Sequence, residues 1–232
     1  MTNESNQNYK CRYCQKDFRK ESTLAAHLCE PKRRWQQEKE TGVQLGLRAY
    51  LRFYEITQGS ARLKSYEDFV SSPYYNAFVK FGRHLVGIRA VNPNSYLEWL
   101  LKNNKKLDHW CRDSFYDEWL LDYLRKENPQ DALERGMKEM QDYAEEHPDL
   151  ASYAHFFLFG NSNAVLHRIL NGRISPWIVY NSNSGVGFLE KLNQEQTVMI
   201  LDYIDPDYWQ RRFIDYAADV EWCKHILKEA GL

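Results

Sequence analysis

Between Tyr9 and Arg34 the chain reads YKCRYCQKDFRKESTLAAHLCEPKRR, and four of its side chains are soft metal donors: Cys11, Cys14, His27 and Cys29. Two cysteines separated by two residues at a tight turn aim both thiolates at one tetrahedral ion, and an imidazole further along supplies a third ligand. The chemistry this set predicts is the binding of one structural Zn2+. Phe18 and Leu24 fall between the donors. Leu24 and His27 are three apart and share a helix face, so an apolar plug and the third ligand turn inward together.

Tyr9, Cys11, Cys14, Phe18, Leu24 and His27 together resemble the C2H2-type zinc finger in ligand spacing and in both core positions. The resemblance covers about a tenth of the chain and implies a ββα unit folded around zinc. The chain departs from that family downstream. The last ligand belongs at Pro31, Lys32 or Arg33, none of which binds zinc, and Cys29 is the nearest donor. Residues two apart in a continuous helix point to nearly opposite sides, so Cys29 serves only if the helix ends near His27. Pro31 biases Glu30 away from helical geometry and predicts such an end. A Cys-Cys-His-Cys site is the preferred reading; Cys223, His225 or a water are the alternative fourth ligands.

The surroundings of the donors are basic. Residues 1–50 carry ten Lys and Arg against six Asp and Glu, a charge of +4, whereas the remaining 182 residues carry 21 against 26, a charge of −5. Lys10, Arg12, Arg19, Lys20, Lys32, Arg33 and Arg34 could neutralise phosphates, and Trp35 could stack on an unpaired base. By the register of the resemblance, Lys20, Thr23 and Ala26, with Ser22 beside them, would face bases. A lone finger reads about three base pairs, too few for a sequence-specific factor. The expected partner is therefore DNA or RNA, bound weakly and salt-sensitively. The bland alternative is that Trp35 staples the finger to the helical part while the cations face water.

Composition sets the outer limits. With 232 residues, 43% hydrophobic and only 11 Gly and 7 Pro, the chain can build a sizeable core. No run of about 18 apolar residues exists, so no membrane association is expected. The first residues, MTNESNQN, do not read as a signal peptide. Five cysteines, three of them between residues 11 and 29, argue against a disulfide framework and predict a reducing, cytoplasmic compartment. Cys111 and Cys223 each follow a Trp and are expected as buried free thiols.

Helix starts punctuate the rest. Asn92-Pro93, Asn128-Pro129, Ser175-Pro176 and Asp205-Pro206 each place a capping side chain before a proline. Ser65-x-x-Asp68 and Ser114-x-x-Asp117 resemble capping boxes. Helical spacing follows in Leu47, Leu51 and Tyr54, in Phe78, Phe81, Leu85 and Ile88, in Trp119, Leu120, Tyr123 and Leu124, and in Trp209, Phe213, Tyr216 and Val220. The fold expected is mostly α: a disordered stretch at 1–8, a ββα zinc finger at 9–30, a basic linker at 31–41 and a multi-helix domain at 42–232. Two polar stretches, 160–163 and 181–185, read as helix–helix connections, with a ligand-binding loop as the other option. From about residue 42 the chain is faintly similar to uncharacterised small proteins of T4-like tailed phages, in SPYYNAFVKFG and ISPWIVYNS, a similarity that carries over no site residues.

Three functional readings remain. The first is a non-catalytic accessory factor whose finger contacts nucleic acid while the helical domain binds a protein partner. The second is a protein–protein adaptor in which the finger is a docking element. The third is a metal-dependent nuclease built on Asp202, Asp205 and Asp207, although Asp205 already reads as a helix cap and Asp207 suits a first turn. No phosphate-cradling loop, triad or nucleophile signature is present, so neither catalysis nor a small-molecule ligand is indicated.

Overall fold

The N-cap–proline pairs start helices where the sequence places them. The Asn92, Asn128, Ser175 and Asp205 side chains accept hydrogen bonds from Ser95 N, Gln130 N, Trp177 N and both Asp207 N and Tyr208 N. In each case proline sits in the first turn, where a missing N–H costs nothing. Ser65 and Asp68 form a reciprocal capping box, as do Asn193 and Gln196. Ser114 does not cap, because the helix has already begun at Asp113.

The computed structural model describes residues 8–59 and 64–232, so the disordered stretch expected at 1–8 lies, save for Asn8, outside the described residues. The protein is mostly α. The chain divides into two units, 1–112 and 113–232, whereas the sequence suggests one helical domain from residue 42. Helical periodicity marks each helix but carries no information on which helices share a core, so the boundary at Arg112 is invisible in it.

The first unit starts with a two-stranded antiparallel sheet, β1 (Tyr9–Lys10) and β2 (Asp17–Phe18), followed by α1 (Glu21–Ala26) and α2 (Glu30–Gln36). Residues 31–41 are thus not a linker: most of the stretch is helical, with Pro31 opening α2. Then come α3 (Thr41–Gln58), α4 (Tyr66–Ser71), α5 (Tyr75–Gly87) and α6 (Pro93–Lys102). Their core is aromatic: Tyr50, Phe69, Phe78, Phe81, Tyr96 and Trp110 are buried, and Trp110 Nε1 donates to Lys105 O at 2.8 Å. Burying such rings is the main source of stability, and each buried indole or phenol needs a polar partner.

The second unit comprises α7 (Asp113–Lys126), α8 (Pro129–Glu146), α9 (Phe156–Phe159), α10 (Ser162–Leu170), α11 (Pro176–Asn181), α12 (Asn183–Leu189), α13 (Gln194–Ile204), α14 (Pro206–Asp215) and α15 (Ala217–Glu229). Leu133, Met140, Phe156, Trp177, Ile178, Trp209, Cys223 and Leu227 belong to its core. The two polar stretches resolve into caps: Asn161 starts α10, and Ser182, buried, starts α12 directly after α11. The pattern Trp209 to Val220 is broken at Tyr216, where α14 gives way to α15. Cys223 is buried, which pushes its thiol up to about 12, whereas Cys111 is only half-buried.

One buried carboxylate organises this unit. Glu139 is 2% exposed. The Arg173 Nε donates to it at 3.0 Å, and the Arg168 guanidinium lies 3.1 Å away while covering the Tyr143 ring. Replacing Glu139 by alanine would remove the buried carboxylate that both guanidiniums share. Glu139→Ala is expected to destabilise the unit by about 3–5 kcal/mol. Urea denaturation followed by circular dichroism would check this; a loss below about 1 kcal/mol would mean the arginines reach water readily.

Candidate metal centre

Cys11 leaves β1 and Cys14 lies on the turn that returns the chain to β2. The turn is closed by Cys11 N donating to Lys16 O and Gln15 N donating to Cys11 O, both at 2.9 Å, with Gln15 at φ 60°. This left-handed residue lets the knuckle reverse within so few residues. The helix α1 ends at Ala26, where His27 turns extended (φ −68°, ψ 122°). Cys29 is extended as well (φ −92°, ψ 163°) and precedes α2. In an extended segment, residues two apart face the same side. The geometry that would have separated His27 and Cys29 in a helix therefore brings them together, and Leu28 between them is 62% exposed.

The four donors converge. One ligand atom from each of Cys11, Cys14, His27 and Cys29 lies within 4.8 Å of every other. Cys11 Sγ is 4.0 Å from Cys29 Sγ, and Cys14 Sγ is 3.2 Å from His27 Nε2. A tetrahedral ion with metal–sulfur bonds of about 2.3 Å sets its sulfurs about 3.8 Å apart, close to the 4.0 Å between Cys11 Sγ and Cys29 Sγ. Among the described residues this is the only cluster of three or more His, Cys, Asp or Glu side chains close enough to hold a metal. Cys223, in the core of the second unit, and His225, 3.5 Å from Glu229, are not part of it. Asp205 caps α14, Asp207 lies in its first turn and Asp202 is exposed on α13.

The electrostatics favour a thiolate. The Cys14 backbone N–H, more than any other group, draws the Cys11 thiol down to about 7, with the Tyr13 N–H and the other two thiols assisting against burial. At Cys14 the Lys16 N–H pulls downward, but burial and the Cys11 and Cys29 thiols outweigh it and the net shift is upward. Three thiols crowded together resist losing all their protons until a cation neutralises them. Phe18 packs on the His27 ring with centroids 4.7 Å apart, yet no residue of α1 is buried.

The basic residues separate into two groups. Lys10, Arg12, Arg19, Lys20 and Arg33 are exposed, as are Ser22, Thr23 and Ala26 of α1. Lys32, Arg34 and Trp35 are occupied within the protein. Lys32 Nζ donates to His27 O at 3.0 Å, and Arg34 donates to Val70 O at 2.7 Å, pairs with Glu30 and covers the Tyr75 ring at 4.5 Å. Trp35 meets Tyr66 edge-on at 5.1 Å, and the Tyr66 hydroxyl donates to Arg34 O at 2.9 Å. Trp35 remains on the wall of an open cleft of about 680 Å³, with Arg12, Tyr13, Pro31, Arg34 and Glu67. Tyr13, under the Arg12 guanidinium at 4.6 Å, is a lining residue that sequence reasoning passed over, although an aromatic between a cation and a ligand was legible there. Tyr66 and Tyr75 carried no such signal, because only folding brings α4 and α5 beside α2.

No helix among the described residues is long and apolar enough to cross a membrane. No family model matches the chain, and no curated protein and no solved structure matches it at a significant level. The similarity of residues 42–232 to tailed-phage proteins gains no support from these comparisons.

Proposed function

We propose that residues 9–29 form a structural zinc finger and that its basic surface, with the neighbouring cleft, contacts nucleic acid without catalysing a reaction. Three thiolates and an imidazole in tetrahedral reach suit zinc better than calcium, magnesium or manganese, which prefer oxygen donors. The observation that carries the nucleic-acid reading is the placement of exposed Lys10, Arg12, Arg19, Lys20 and Arg33 around the metal centre, beside a cleft walled by Tyr13 and Trp35. Cations bind the backbone and the two rings offer stacking faces for an unpaired base. The helical units supply the surface for a protein partner.

A competing reading is favoured by one observation: Arg34 and Trp35 are used to hold α2 onto α4 and α5, as a rigid docking element would require. Anisotropy of labelled single- and double-stranded DNA and RNA across a salt series separates the two. Nucleic-acid binding should weaken with salt, and Arg12→Gln/Arg19→Gln/Lys20→Gln should reduce the single-strand slope of log K against log salt by about 2. Binding that is absent, or indifferent to these changes, rejects the nucleic-acid reading in favour of the adaptor.

A further inference from the structure

On the other side of α2 from the Trp35 cleft, Glu30, Arg33, Arg34 and Gln37 face Tyr75, Asn76, Lys80 and Arg83 of α5 across a pocket of about 410 Å³. The spacing of the α2 residues, i, i+3, i+4 and i+7, is one face of a helix, and that of the α5 residues is another. Four cations, Arg33, Arg34, Lys80 and Arg83, line the pocket against a single carboxylate, Glu30. Arg34 is paired with Glu30, and Arg83 is paired with Glu40 by bonds of 2.7 and 2.8 Å, which lock both guanidiniums in place. Arg33 and Lys80, both exposed, form no ion pair among the described residues. They stand on opposite walls, one on each helix.

The wall itself is short of acceptors. Arg34 Nε is buried without a hydrogen bond, and the Tyr75 hydroxyl lies beside the Tyr66 hydroxyl, which donates to Arg34 O. Tyr75 is 3% exposed. Gln37 adds an amide at the rim, and Asn76 bonds the Glu30 carboxylate. A buried guanidinium N–H without an acceptor, together with two cations that face each other from opposite walls, describes a site for a ligand with acceptor oxygens and negative charge. A neutral or apolar ligand would leave Arg33 and Lys80 desolvated, and a metal cation would be repelled.

We propose that the pocket between α2 and α5 binds one phosphate group, gripped by the charges of Arg33 and Lys80 from opposite sides, with the ion-paired Arg34 and Arg83 shaping the walls between them. The same chemistry serves a free phosphate or a phosphodiester of a bound strand. Arg33 borders both this pocket and the basic surface proposed to contact nucleic acid, whereas Lys80 belongs to the pocket alone.

The test is calorimetric titration of the intact, metal-loaded protein with inorganic phosphate in a chloride buffer of constant ionic strength. Wild type should bind one phosphate per chain. Arg33→Gln and Lys80→Gln, both at exposed positions that leave the core untouched, should each weaken it about tenfold. Arg19→Gln/Lys20→Gln should leave it unchanged. A parallel anisotropy titration with a labelled oligonucleotide identifies the source. Reduced affinity in the Lys80 variant would assign the pocket to a strand phosphate, and unchanged affinity in that variant to a free phosphate. Absence of phosphate binding by wild type, or phosphate affinity that survives both substitutions, would overturn the proposal whether or not the protein binds nucleic acid.

Discussion

Cys14→Ser should abolish stoichiometric zinc binding and unfold residues 9–29 while α2 and the helices after it keep their cooperative transition. The reason is the thinness of the finger apart from its metal. No residue of α1 is buried, its N-terminal Lys20 makes no capping bond, and Phe18 and Leu24 are only half-buried. So small a unit cannot offset its conformational entropy by apolar burial, and metal binding supplies its folding free energy, about 10–16 kcal/mol in isolated fingers. The loss should stop at Glu30, because α2 is held by Arg34 to Val70 O and by Trp35 on Tyr66, independently of zinc. Metal content measured by atomic emission, together with hydrogen exchange, reads both effects. A variant that still holds one zinc per chain would sink the ligand assignment. Cys29→Ala is the finer probe: it should weaken zinc by more than the 10–100-fold typical of losing a ligand's hydrogen-bond partner, and unchanged affinity would move the fourth position to water.

Gly82→Ala should be the most damaging single-methyl change in the first unit. α3 and α5 cross so closely that a Cβ on Gly82 would lie 2.0 Å from Gly42 O and 2.5 Å from Gly46 N. Both neighbours are backbone atoms inside a helix, so no side chain can swing aside and the helices must part. Parting them opens the packing of Tyr50, Phe78 and Phe81. Overpacking ordinarily costs about 1–3 kcal/mol, and a backbone-on-backbone clash belongs at or beyond the top of that range. For a unit of this size the melting temperature should fall by on the order of 15 °C. Thermal melts of the variant test it. A change of only a degree or two would show that the crossing is looser than its glycines imply.

Much of this architecture is local and can be read along the chain. Cys11 and Cys14 share a knuckle because a two-residue spacing closes one turn, and His27 joins them because it follows Leu24 by three positions, at the end of α1. Asn92, Asn128, Ser175 and Asp205 start helices because a side-chain oxygen next to proline satisfies the orphan N–H groups of a first turn. Ser114 misled because the same pattern occurs inside α7, where the backbone donors already have partners.

What the chain could not reveal alone was which surfaces would be consumed by folding. From sequence, Lys32, Arg34 and Trp35 look as available as Arg12 and Arg19; in the fold Arg34 and Trp35 fasten α2 to α4 and α5 and Lys32 closes on His27 O, while the others stay in solvent. Pro31 signals a helix end in sequence, yet it also opens the next helix, and only the extended backbone between the two turns Cys29 toward the metal site. The donor types, their spacing and the helix starts were therefore determined by the sequence itself, because each depends on atoms a few residues apart. Cys29 was legible as the fourth donor through Pro31, whereas the division at Arg112 and the cationic pocket between α2 and α5 were decided by tertiary structure, because each depends on atoms that meet only when separate elements pack.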